Sequence, residues 1–274
     1  MQQILNIARK EINDGLRNRW LVAISLLFAA LAVGIAWFGS AAAGQIGFSS
    51  ISATVASLAS LATILVPLIA LLLAYDAIVG EDENGTLLLL LTYPLNRSQI
   101  LLGKFLGHAA ILALATLIGF GCAALAIALL VPDIDLKLLC WAFGRFIASA
   151  SLLGWVFLAI AYLLSSYASE KSTAAGLALG VWFLFVLVFD LFLLALLILS
   201  EGQLSPQLLP WLLLLNPADI FRQLNMSGFD NELSGLLAFG AELPQADILF
   251  WSCMVLWLIL SLFLAHKRFK ARNI

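Results

Sequence analysis

Charged side chains are scarce in this sequence. Asp, Glu, Lys and Arg make up 11% of its 274 residues, where a soluble domain carries about a quarter. Residues of apolar type reach 63% and the mean hydropathy is +1.06, which excludes an ordinary water-soluble fold and points to a bilayer as the solvent. With a net charge of −2, no nucleic-acid partner is expected. Cys122, Cys140 and Cys253 show no C-x-x-C spacing and read as small apolar residues, not disulfide or metal ligands. His108 and His266 are the only histidines and form no H-E-x-x-H pair, so both read as interfacial polar residues and a zinc-protease site is excluded. The three methionines, Met1, Met226 and Met254, are too scattered for a thioether copper site. No metal ligand set and no catalytic constellation is expected in this chain. A cleavable leader is not expected either, because the first strongly apolar run starts only at Leu21 and lacks a convincing processing site.

Long apolar runs are abundant. About 20 apolar residues cross the hydrocarbon core as a helix, and six stretches qualify: 21–38, 57–79, 105–131, 141–165, 173–199 and 247–265. A seventh run, 208–215, is too short and is bracketed by Pro206, Pro210 and Pro217; it is expected to lie in the outer interface. The fold class expected is an all-α integral membrane protein, a single permease-like domain over residues 1–274. Trp20, Trp37, Trp141, Trp211 and Trp251 lie at span ends and suit the interfacial belt.

Basic residues set the orientation. Arg9, Lys10, Arg17 and Arg19 precede the first run, and Lys267, Arg268, Lys270 and Arg272 follow the last. Lys and Arg stay on the cytoplasmic side during insertion. With Arg97, Lys104 and Lys171 in inner loops, 11 of the 14 basic residues fall inside, leaving Lys137, Arg145 and Arg222 outside. A bacterial inner-membrane protein with both termini in the cytoplasm is expected, and six spans satisfy that.

Four further features stand out. Ile4, Ala8, Ile12 and Leu16 recur every four residues in 4–20 while charges take other faces, which predicts an amphipathic helix on the inner surface. The 47-residue stretch 200–246 is long for a connector, is mostly acidic among its charges, and carries apolar pieces that include Leu233, Leu236 and Leu237; it is expected to dock a periplasmic partner. Asp76 and Asp190 lie inside apolar runs, where a carboxylate costs about 2.5–3.5 kcal/mol at the bilayer centre and so faces protein or water. Gly176 and Gly180 place small residues four apart, a spacing that lets helices approach closely.

The inner segment 80–104 carries the densest pattern. Glu81, Asp82 and Glu83 open it, Gly85 and Thr86 follow, five leucines run from 87 to 91, and Pro94 ends that run before Arg97, Gly103 and Lys104. Acidic residues favour a helix amino terminus, and the pattern predicts a short cytoplasmic helical hairpin. The spacing Glu81-x-Glu83-x-Gly85-Thr86, then Pro94, Arg97, Gly103 and Lys104, resembles the membrane subunits of type-2 ABC transporters. In that family the stretch is the coupling element touched by the ATPase, and the amphipathic leader is the elbow helix. The resemblance therefore implies coupling roles for Glu81, Glu83, Gly85, Thr86, Arg97 and Lys104. The unbroken leucines depart from the family, where a polar residue is usual. The runs at 6–20 (NIARKEINDGLRNRW) and 74–83 (AYDAIVGEDE) resemble the branch of the family that serves maturation of nitrous-oxide reductase, a periplasmic copper-sulfur enzyme.

The resemblance implies a homodimeric permease that works with a cytoplasmic ABC ATPase and a periplasmic accessory protein. The chain has no G-x-x-x-x-G-K-[ST] and so no cradle for nucleotide phosphates. No cofactor is expected on it, and ATP and Mg belong to the partner ATPase. The alternative is a secondary transporter of a small solute, which requires coupling carboxylates at membrane depth; Asp190 is the one candidate. An intramembrane enzyme requires paired catalytic groups, and none are visible.

Overall fold

The computed structural model describes residues 2–39, 48, 50–92, 95–200, 208–226 and 246–272. All regular structure among them is helical. The helices are α1 (Gln2–Arg17), α2 (Trp20–Phe38), α3 (Ile51–Ala74), α4 (Val79–Glu83), α5 (Thr86–Thr92), α6 (Arg97–Leu130), α7 (Leu136–Tyr167), α8 (Lys171–Phe183), α9 (Phe189–Leu199), α10 (Leu208–Leu213), α11 (Pro217–Met226) and α12 (Ala246–Ala271), with a π turn at Leu184–Val188 joining α8 to α9. Six stretches are long and apolar enough to cross a membrane: Trp20–Phe38, Ile51–Glu83, Arg97–Leu130, Leu136–Tyr167, Lys171–Leu199 and Asp247–Ala271. The six expected spans are therefore present, several of them longer than the apolar run alone. At 1.5 Å per residue the 34 residues of α6 make a rod of about 51 Å, well beyond the ~30 Å hydrocarbon core.

Local chemistry fixes the element ends. Arg19 takes a left-handed conformation, φ 57°, and ends α1 before α2 begins. The Ser50 hydroxyl accepts from Ala53 N–H at 3.1 Å and opens α3. Asp135 caps α7, accepting from Lys137 N–H at 2.9 Å and Leu138 N–H at 3.1 Å. Gln99 accepts from Asn96 N–H at 2.9 Å and starts α6 eight residues before the apolar run does. Residues 97–104, read from sequence as the end of an inner loop, are thus the first two turns of the third spanning helix.

Helix α7 is the most enclosed of the six, and the stretch Lys171–Leu199 the most exposed. Phe120 of α6 stacks on Phe28 of α2 and meets Phe146 of α7 edge-on, both at 4.8 Å between centroids, and Phe146 reaches Phe221 of α11 at 6.2 Å. Three indoles tie helices through backbone carbonyls: Trp155 to Ala109, Trp182 to Ile64 and Trp257 to Leu214. Close helix approaches within the spans include Gly119 against Phe28 and Gly154 against Leu112; Gly176 and Gly180 have open space where a Cβ would stand. The cysteines are free, and Cys122 and Cys140 are exposed on the helix surface, not packed.

One expectation is corrected by α10 and α11. Residues 208–215 were expected along the outer interface, but the segment they begin enters the bundle. Asn216 donates to the Phe185 carbonyl within the π turn at 2.8 Å, and Trp257 donates to the Leu214 carbonyl at 3.2 Å. Trp257 is ten residues, about 15 Å, along α12 from Asp247. The other end of α11 returns to the level of Asp247, because Arg145 holds both Asp247, at 2.7 Å, and the Leu224 carbonyl, at 2.8 Å. Ala218, Asp219, Ile220 and Phe221 of α11 are fully buried. The segment is re-entrant, tolerated because protein groups meet most of its polar atoms; among the described residues, buried Asp219 Oδ1 has only the Arg222 guanidinium, at 3.5 Å.

Candidate functional site

Both ends of the chain and the segment after α3 meet at one end of the bundle. Helix α1 lies flush against the start of α6 because glycines leave no gap. A Cβ on Gly107 would stand 2.5 Å from Glu11 Cβ and 3.0 Å from the Ala8 carbonyl; one on Gly103 would stand 2.7 Å from Ile7 Cβ; and Gly15 faces Ile111 as closely. This contact carries Glu11, on the packed face of α1, to Lys104 of α6.

Lys104 is 5% exposed. Its ammonium donates to Glu11 Oε1 at 3.1 Å and to Glu81 Oε1 at 2.8 Å, so two carboxylates from separate elements share one cation. The Thr86 hydroxyl donates to the Glu81 carboxylate and to the Glu81 carbonyl, folding α5 back on α4. On the other side of Glu11, its Oε2 lies 3.7 Å from His108 Nε2, and His108 Nδ1 is 2.7 Å from the Tyr162 hydroxyl of α7. His108 is thereby placed in a buried polar chain, which corrects its reading as an interfacial residue. The reason is that α6 begins well before its apolar run and α1 packs over it, so His108 lies between Glu11 and α7.

The next two acidic residues reach elsewhere. Asp82 Oδ2 accepts from Arg272 Nε at 3.0 Å and Nη2 at 2.6 Å. Arg272 also donates to the carbonyls of Ser165, Ser166 and Ala168, at the C-terminal end of α7. Glu83 Oε1 accepts from the Lys171 N–H at 2.6 Å, at the N-terminus of α8. Arg97 donates to the carbonyls of Phe269, Lys270 and Arg272, closing the C-terminal end of α12. Each charge meets the helix end whose partial charge is opposite. The Ser165 hydroxyl accepts from Ile78 and Val79 N–H at 3.0 and 3.1 Å and anchors the start of α4. Asp76 sits in the turn just before, half-buried, with its carbonyl accepting from Gly80 N–H at 2.8 Å.

Of the expected coupling residues, Glu81, Glu83, Thr86, Arg97 and Lys104 thus all face protein partners, and only Gly85 stands clear. Gly85 has φ +69° and open space about it, making the tip between α4 and α5 where a side chain would be strained. The outward surface is made by Asn84, Gly85, Leu88, Leu89 and Thr92; Leu88 is 56% and Leu89 63% exposed. Sequence reasoning missed Glu11, Asp82 and Arg272. Glu11 alone left a signal, as an acidic residue on the Ile4, Ala8 and Gly15 side of an amphipathic helix.

A second polar cluster lies in the other half of the bundle. Both Arg222 amino groups donate to Asp190 Oδ2 at 3.1 Å, and Arg222 Nη1 is 3.5 Å from Asp219 Oδ1. Asn216 donates to Asp219 Oδ2 at 2.8 Å, and Asn225 donates to the Ser149 hydroxyl at 2.9 Å. Asp190, sought in a cavity or subunit contact, is paired within the chain. Leu233, Leu236 and Leu237 lie outside the described residues.

The chain matches the family described as ABC-2 family transporter protein over residues 5–274. Two relatives named "Probable ABC transporter permease protein NosY" are similar throughout. That of Stutzerimonas stutzeri is 70% identical over 274 residues, covering 99% of each chain. That of Pseudomonas aeruginosa is 66% identical over 275 residues, covering 100% of each.

Proposed function

This chain belongs to the ABC-2 transporter family and is a membrane permease subunit of an ABC transporter, and we propose that its α4–α5 segment couples it to ATP hydrolysed by a separate cytoplasmic subunit. One observation carries the reading. Two spans are joined by short helices that pair Glu81 and Asp82 within the chain and leave Leu88 and Leu89 exposed, at the end where both termini lie. An apolar pair with a polar, glycine-bearing tip suits a groove on a partner protein. ATP and Mg bind that partner, the permease works as a homodimer, and both termini are cytoplasmic in the bacterial inner membrane.

The proposed role is maturation of a periplasmic copper-sulfur enzyme, nitrous-oxide reductase. The resemblance at 6–20 and 74–83 supports it. The outer stretch 200–246, through Leu233, Leu236 and Leu237, docks a periplasmic accessory protein, and force or cargo is passed to it when the ATPase closes.

Replacing Leu88 and Leu89 by Gln tests the contact. The variant inserts normally but fails to co-purify the ATPase subunit and yields no mature copper enzyme. Undiminished co-purification and maturation would refute the contact. In the same assays, polar residues at Leu233, Leu236 and Leu237 release the periplasmic partner and leave the ATPase bound.

A further inference from the structure

Glu81, Asp82 and Glu83 are consecutive, yet each holds a different helix: α6 through Lys104, α12 through Arg272, and α8 through the Lys171 N–H. The three ties differ in kind. The first is the most enclosed, with side-chain exposure of 7% at Lys104 and 9% at its second carboxylate, Glu11. The second is partly open, with Asp82 at 29%. The third is one hydrogen bond on an exposed residue, beside a small apolar contact of Val79 with Ala174 of α8. A charge pair strengthens as water is excluded, so a pull on α4 is carried first by Lys104.

We propose that Lys104 is a positioning residue that joins α4, the inner end of α6 and α1 into one moving body, with the seam of the motion along Glu83–α8. This rests on the coupling reading of α4–α5 given above. The glycine contact supports it, because α1 seated on Gly103 and Gly107 leaves no space for independent sliding. Lys10, the other cation near Glu11, is exposed and 3.7 Å away, and does not replace Lys104. The N-terminal helix is therefore driven, not passive. It moves with the ATPase contact, while α8 stays behind.

The test uses the full permease–ATPase complex in lipid nanodiscs, with Cys122, Cys140 and Cys253 changed to Ser and spin labels placed in pairs. Labels at Asn13 and Thr92 report α1 against α5; labels at Thr92 and Thr173 report α5 against α8. On adding ATP, the second distance changes by about 2 Å or more, the scale of helix shifts in switching proteins, while the first stays fixed. Combining Glu11→Gln, Glu81→Gln and Lys104→Met removes the charges without stranding any, and the first distance then changes with ATP as well. A first distance that changes in the parent complex overturns the single body. One that stays fixed in the triple variant overturns the role of Lys104. If ATP moves neither distance while the ATPase still turns over, the coupling reading itself falls, and this inference with it.

Discussion

Removing Lys104 alone strands two carboxylates in the protein interior. Breaking a buried ion pair by deleting one partner costs about 3–5 kcal/mol, whereas replacing all partners by neutral groups costs far less. Lys104→Ala is therefore expected to lower the unfolding midpoint of the detergent-purified chain strongly, and the neutral triple variant to recover most of the loss. Equal losses in the two would show that the charges contribute nothing there. Glycines make a second contrast. Gly107→Ala drives a methyl into Glu11 and the Ala8 carbonyl, an overpacking that costs ~1–3 kcal/mol. Gly144→Ala meets open space and gains up to ~1 kcal/mol from helix propensity. Opposite shifts of the midpoint check this pair. Sequence reading found Lys104 and Glu81 by their motif, but not that they pair with each other. The second carboxylate on Lys104, Glu11, is 93 residues away, and no local pattern names it.

The spanning helices were legible because length and apolarity suffice to find them. Their ends were not, since α6 gains its first two turns from a cap at Asn96 and from packing against amphipathic α1, neither of which lengthens an apolar run. The re-entrant pair α10–α11 was misread for a related reason. Its ten-residue second helix mixes Asp219, Arg222, Gln223 and Asn225 with buried Ile220, Phe221 and Leu224, which by composition suits an interface. Only long-range partners make it an interior helix: Asp190, Ser149 and the Phe185 carbonyl of the π turn. Asn216→Ala leaves that carbonyl and Asp219 without a donor, a cost of about 1–3 kcal/mol for each group left unsatisfied. The expected result is faster proteolysis within 208–226 of the variant, with the rest of the helix bundle intact. Unchanged cleavage would show that the asparagine does not anchor the segment.

At the scale of the whole chain, basic residues at both ends predicted one side for the two termini, and the Arg272–Asp82 and Glu11–Lys104 pairs bring the ends together at one end of the bundle. Which side of the membrane that end faces is tested by labelling. Single cysteines at Asn6 and Asn96 are expected to resist a membrane-impermeant reagent in intact cells, and one at Asn231 to react. Reaction at Asn96 would invert the topology. The closing of this end also has an order in time. Asp82 leaves the ribosome 190 residues before Arg272, and α12 depends on Arg97, as α7 does on Arg272, to cover its last carbonyls. A nascent chain threads its first five spans with the inner junction unfinished, and the arginine that fastens it arrives only after the sixth has been made. On the coupling role proposed above, an ATPase subunit would therefore meet a finished surface only once the whole permease is in the membrane.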